Sequence, residues 1–225
     1  MLNNNCIKIT LIGDVFPGEL PYTVDFGIKS QFRKHKGIPW SNKIKNIFGE
    51  NELIIANLES PLIDENNTIK QTFFGEPKFA EFLKESGINV LNIANNHILE
   101  QGSTGFYSTI NALDKLNLDV VGYIKDKKPN IVYKTFNNIK IAIAGFSDVD
   151  LEVIKNDNHF AILNEENLNN TLECIENEKV DFKIFCFHWG NEYINFPSLE
   201  QRKKAYNLID KGIEDRKSTR LNSSH

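Results

Sequence analysis

The residues that could do chemistry stand at the ends of apolar runs. Within Asn89–Gly102 (NVLNIANNHILEQG), Asn95, Asn96 and His97 arrive together where the run Val90–Ala94 stops. An amide oxygen can bind a metal, and an imidazole can bind a metal or move a proton. One His beside Asn residues is ordinarily a solvated loop, but three other apolar runs end in the same manner. CIKITLI is followed by Gly13-Asp14, LIIANL carries Asn57 and is followed by Glu59, and Phe182–Phe187 is followed by His188-Trp189-Gly190. In an open α/β sheet, ligands sit outside the carboxyl ends of the strands. Oxygen and imidazole donors without thiolates suit Mn, Fe, Zn or Mg. Two such cations in one site stand about 3.5–4 Å apart and clamp attacking and leaving oxygens. Glu59 has the reach to bridge them.

Each residue also has an ordinary account. Asp14 after Gly13 could make a turn, Glu59 could be a solvated strand end, and His188 could be a packed imidazole beside Trp189. His35 and His159 lie in polar surroundings and read as surface. Phe73-Phe74 and the two Trp read as core rather than as a sugar platform. It is the joint occurrence of the four strand ends that points to a site.

The elements that must position these groups alternate. Strands are expected at Cys6–Ile12, Leu53–Leu58, from Asn89, at Asp119–Gly122 and at Phe182–Phe187. Helices are expected after Ser41, after Pro77, from Phe106 to about Leu116, after the Asn164 cap, and after Ser198, where Ser198 and Gln201 match a capping box. Val15–Ser30, with Pro17-Gly18 and Pro21, reads as irregular. Ile131–Phe136, Asn137-Asn138 and Ile139–Ala144 read as a hairpin. The pattern predicts an α/β sheet covered on its faces, with one antiparallel pair.

Composition narrows the class. The chain has 225 residues with 40% hydrophobic and 25% charged, ordinary for a globular α/β domain. The net charge of −4 gives no basic field for nucleic acid. No apolar run has the length of a bilayer span, and Met1–Asn5 lacks the regions of a signal peptide, so a cytoplasmic location is the default expectation. Cys6, Cys174 and Cys186 stand far apart with no CxxC, and Cys6 and Cys186, which lie in apolar runs, read as reduced core thiols. Asp215–His225 (DRKSTRLNSSH) has no apolar periodicity and resembles the translation of a common sequencing adapter. It is read as an artefact joined near Glu214, which leaves residues 1–214 as one domain.

With these residues in view, the chain resembles the CapA, or poly-γ-glutamate (capsule) synthesis, domain, whose fold is like that of calcineurin-type metallophosphoesterases. The matching stretches are Gly13-Asp14-Val15-Phe16, Ala56-Asn57-Leu58-Glu59, Ala94-Asn95-Asn96-His97 with Ile98-Leu99 and Gly102, and His188-Trp189-Gly190-Asn191-Glu192-Tyr193. The resemblance implies an α-β-β-α sandwich with mixed sheets, incomplete at the C-terminus. It implies two divalent metal ions, with Asp14 on the first, Glu59 where a bridging Asp stands, Asn96 on the second, and His188 a further ligand. His97 would act near the leaving group as acid or phosphate contact, and Asn57 and Asn95 would orient the ligands.

The chain departs from that pattern in three places. Phe16 stands where metallophosphoesterases have the His of Asp-x-His. Glu100-Gln101 replaces the Asp-Tyr that often precedes Gly102. The closing Gly-His-x-His motif is not found after Gly212. Weak metal binding and little activity are therefore expected of this chain. The implied function, for the full-length form, is hydrolysis of a phosphoester or phosphoanhydride in capsule assembly, with an anionic polymer or phosphoester as substrate and membrane-associated synthase subunits as partners. The rival is a non-catalytic subunit that binds the polymer or a synthase.

Overall fold

The computed structural model describes residues 7–37, 41–48, 53–149, 159–190, 194, 196–213 and 215–219. They fall into two compact units, one covering Cys6–Val120 and the other running from Val121.

The first unit is built on β2 (Leu53–Leu58), an apolar run with all six residues buried. A strand covered on both faces has no reason to alternate, and LIIANL does not. It is flanked by β1 (Ile9–Val15) and β3 (Val90–Asn92), both parallel to it, and β4 (Asp119–Val121) follows in the order β1-β2-β3-β4. The helices are α1 (Ile28–Lys34), α2 (Ser41–Phe48), α3 (Phe79–Glu85) and α4 (Gly102–Asp114). Ser41 is the first residue of α2 rather than its cap, and its hydroxyl donates to Glu85 Oε2 at 3.1 Å.

Two sequence expectations change here. β1 does not end before Gly13-Asp14. After a register shift between Leu11 and Asp14, the strand resumes with Asp14 opposite Asn57 and Val15 opposite Leu58. A bulge of this kind re-aims the side chains that follow it. Within the stretch read as irregular, α1 forms; only Lys29 and Phe32 of it are buried, too few for a legible apolar period.

Lys29 explains why that excursion holds its shape. It is 5% exposed, pairs with Glu19 Oε2 at 3.5 Å, donates to the Gln71 carbonyl at 3.0 Å, and lies 4.0 Å over the Phe74 ring. Glu19 is 1% exposed, and its Oε1 accepts from Ser30 N–H at 3.0 Å. Burial pushes the Glu19 carboxyl up, but Ser30 and Lys29 outweigh it and hold it below the ordinary value. Gly27 has no room for a side chain because the Glu19 chain passes there.

The second unit contains a small ribbon, β5 (Ile124–Lys125) with β6 (Lys128–Pro129), absent from the sequence reading. Its four-stranded sheet runs β10-β9-β8-β7, where β7 is Val132–Phe136, β8 Ile139–Ser147, β9 Phe182–His188 and β10 Asp215–Thr219. β7 and β8 form the expected hairpin, with Asn137 and Asn138 at φ 50° and 67°, as a tight two-residue turn requires. β9 is parallel to β8 and to β10, so the tail that reads as aperiodic contributes an edge strand. Helix α5 (Glu165–Glu176) starts at Asn164, whose side chain accepts from Asn167 N–H, and α6 (Leu199–Asp210) starts at the Ser198–Gln201 capping box. The core gathers Phe146, Phe185, Phe187 and Trp189. Trp40 and Cys6 lie outside the described residues. These parallel and mixed sheets with their helices are those of a calcineurin-like α/β fold. No described helix is long and apolar enough to cross a membrane.

Removing one partner of a buried ion pair leaves the other charge uncompensated, at a cost of about 3–5 kcal/mol. Lys29→Ala should lose stability on that scale in urea unfolding, and adding Glu19→Gln should recover part of it. A Lys29→Ala protein as stable as wild type would contradict a buried pair.

Candidate metal centre

The first unit brings Asp14 and Glu59 together through its sheet. Asp14 is exposed at the end of β1, and Glu59 follows β2, 8% exposed, with its N–H on the Val15 carbonyl at 2.9 Å. A carboxylate oxygen of each lies within 4.8 Å of the other. Asn57 Nδ2 donates to Asp14 Oδ1 at 2.7 Å. Asn57 Oδ1 in turn accepts from Asn92 Nδ2 at 2.9 Å and Asn95 Nδ2 at 3.3 Å. All three amide residues are 1% exposed. Asn92 went unnoticed in the sequence; the signal available was a polar residue inside an otherwise apolar strand. Asn95 also donates to the Leu58 carbonyl at 2.8 Å and accepts from His97 N–H at 3.2 Å, which shapes the turn after β3.

Asn96 and His97 are half-buried on that turn. His97 Nδ1 lies 3.3 Å from Glu100 Oε1, and its Nε2 lies 3.2 Å from Asn96 Nδ2. Phe73 stacks on the imidazole at 4.9 Å with planes 18° apart, and Phe16 meets it edge-on at 6.2 Å. Phe74, by contrast, is fully buried core. Glu100 also pairs with Lys70. The His97 hydrogen bond is the main reason the Glu100 carboxyl lies below its ordinary value; burial opposes it and Lys70 adds to it.

Gln101, seen in the sequence only as a departure, is fully buried and holds the loop that carries Phe73. Its Oε1 accepts from Ile69 N–H at 2.7 Å and Lys70 N–H at 3.1 Å, while its Nε2 donates to the Lys70 and Thr72 carbonyls at 2.9 and 2.8 Å.

His188 belongs to the second unit. It is the last residue of β9, opposite Ser147 of β8 and Thr219 of β10, and is fully buried. Trp189 beside it is 2% exposed. Gly190 has φ 104°, a backbone that L side chains rarely adopt. Asn191–Tyr193 lie outside the described residues. His35 is exposed, and His159 is half-buried where surface was expected. Cys186 is a buried free thiol and Cys174 a half-buried one.

Comparison with known proteins gives the family. Residues 8–214 match the model of the family described as bacterial capsule synthesis protein PGA_cap. The chain is 28% identical to the capsule biosynthesis protein CapA of Bacillus anthracis, over 94% of this chain and 53% of that protein. It is also 28% identical to the PGA biosynthesis protein CapA of Bacillus subtilis (strain 168), over 94% of this chain and 56% of that protein. The chain thus spans about half the length of the relatives it matches.

Because Glu100 is held below the carboxyl's unfolded value of 4.5, its contribution to stability is complete above that pH. It fades as pH falls through the lower folded value. Urea unfolding of wild type and Glu100→Gln should therefore show a stability gap near neutral pH that closes as pH falls well below 4.5. A gap that widens on acidification would contradict the assignment.

Proposed function

Because this chain belongs to the bacterial capsule synthesis protein family, we propose that it works in poly-γ-glutamate capsule biosynthesis as a divalent-cation-dependent hydrolase of a phosphoester or phosphoanhydride. The names of its relatives support the setting. The observation that carries the chemistry is the Asp14–Glu59 pair. Two carboxylate oxygens within 4.8 Å of each other repel, and a cation between them removes that repulsion.

Asp14 and Glu59 are the first donors in this reading, and the resemblance adds the Asn96 amide oxygen and His188 as further ligands for two ions. Hard oxygens with imidazole fit Mn, Fe, Zn or Mg. A bound divalent ion supplies Lewis acidity toward a phosphoryl oxygen and offsets the charge that builds there. The chain's own residues do the rest. Asn57 fixes the Asp14 carboxylate through its 2.7 Å hydrogen bond, and the buried Asn92 and Asn95 fix Asn57. Phe16 and Phe73 keep water from one face of the His97 imidazole. An anionic polymer or its phosphoester precursor is the substrate in this reading, and synthase subunits are the partners.

Calorimetric titration with Mn²⁺, beside hydrolysis of a generic phosphodiester, tests it. Asp14→Asn, Glu59→Gln and His188→Ala should each weaken Mn²⁺ binding at least about tenfold, and Asn96→Ala should abolish hydrolysis. Binding that survives loss of Asp14, or equal hydrolysis by wild type and Asn96→Ala, overturns the proposal. Polymer binding without any turnover would instead favour a subunit that holds the polymer.

A further inference from the structure

We propose that His97 acts as a positioning residue for the Asn96 amide, and that Glu100 and Phe73 hold the imidazole for that task. This rests on the reading above only in taking the Asn96 oxygen as a cation donor.

The argument starts from which atoms can donate. The ionised Glu100 carboxylate only accepts, so the ring nitrogen 3.3 Å from it, Nδ1, carries the hydrogen. In the neutral ring Nε2 is then bare. The atom 3.2 Å from Nε2 is Asn96 Nδ2, which only donates. The two contacts agree on one tautomer, and that tautomer decides the amide. With Nδ2 turned to the imidazole, Oδ1 lies on the other branch of the side chain. A flipped amide would set two acceptors against each other.

The surroundings restrain the ring itself. Glu100 is tied by Lys70, so the acceptor at Nδ1 stays in place. Phe73 lies flat against the imidazole, and Phe16 closes its edge. Phe73 has φ 56°, a left-handed backbone that a bulky side chain rarely adopts. The loop keeps it there: Gln101 grips residues 69–72, Lys29 takes the Gln71 carbonyl, and Phe73 N–H donates to the Glu19 carbonyl at 2.8 Å. Strain kept by so many buried contacts is expected where a side chain must be aimed.

Long-range ¹H–¹⁵N NMR of the metal-free protein reads the tautomer directly, and Mn²⁺ calorimetry reads the consequence. Wild type should show His97 protonated on Nδ1. Glu100→Ala and Phe73→Leu should each shift the ring toward a tautomer mixture and weaken Mn²⁺ binding about tenfold or more. Glu100→Gln, which keeps an acceptor, and Phe73→Tyr, which keeps the stack, should stay near wild type in both. Circular dichroism and thermal unfolding check that all four variants fold. A wild-type His97 protonated on Nε2 overturns the inference. So does a tautomer and Mn²⁺ affinity that Glu100→Ala leaves unchanged. If the tautomer responds as stated and Mn²⁺ binds no variant, wild type included, the positioning role stands and the cation reading falls.

Discussion

The hydrogen bond between Asn57 and Asp14 is the contact from which the first unit's site is built. A carboxylate at the exposed end of a strand would ordinarily swing in solvent. Here one of its oxygens is held at 2.7 Å by an amide that is itself 1% exposed. That amide cannot turn over, because its oxygen accepts from both Asn92 and Asn95. A buried polar group left without a partner costs about 1–3 kcal/mol, so the four side chains form a set that is satisfied together or not at all. The sheet sets the spacing: Asp14, Asn57 and Asn92 face one another across three parallel strands. This ladder of amides fixes the orientation of the Asp14 carboxylate.

The ladder depends on an irregularity. Without the register shift between Leu11 and Asp14, the alternation of β1 would place Asp14 on the other face from the one that Asn57 reaches. Sequence periodicity shows where an apolar run stops, so Gly13-Asp14 was legible as an end. It does not show that the strand resumes for two residues after a bulge, because a bulge leaves no repeat to detect. The buried strands LIIANL and Phe182–Phe187, the Asn137-Asn138 turn and both helix caps were legible, since each is a local signal with a local cause. Helix α1 was not, because its shape comes from Lys29 and Glu19 pairing inside the protein, and two charged residues in a polar stretch read as surface.

The candidate site was legible to a similar degree and for similar reasons. Asp14, Glu59, Asn95, Asn96, His97 and His188 are polar residues where apolar runs stop, and that boundary is visible one residue at a time. The residues that orient them are harder to see. Asn92 sits inside a strand, and Gln101 sits on a helix start; each is buried only because distant segments fold over it. Gln101 makes four hydrogen bonds to a loop about 30 positions earlier in the chain. No spacing rule reaches across that distance.

The departures from the metallophosphoesterase pattern become coherent once these contacts are placed side by side. Phe16 stands where that pattern has a His after the first Asp, and its ring closes the edge of the His97 imidazole. Glu100 stands where the related domains often have Asp, and its longer side chain reaches both His97 and Lys70. Gln101 stands in the place of a Tyr, and its amide clamps the loop that brings Phe73 flat against the same ring. A phenyl ring neither binds a cation nor carries a proton. Replacing an imidazole by one therefore removes a donor from the first strand end and adds an apolar wall beside the third. The three differences converge on one imidazole: Phe16 closes its edge, Glu100 holds one ring nitrogen, and Gln101 keeps the loop that carries Phe73.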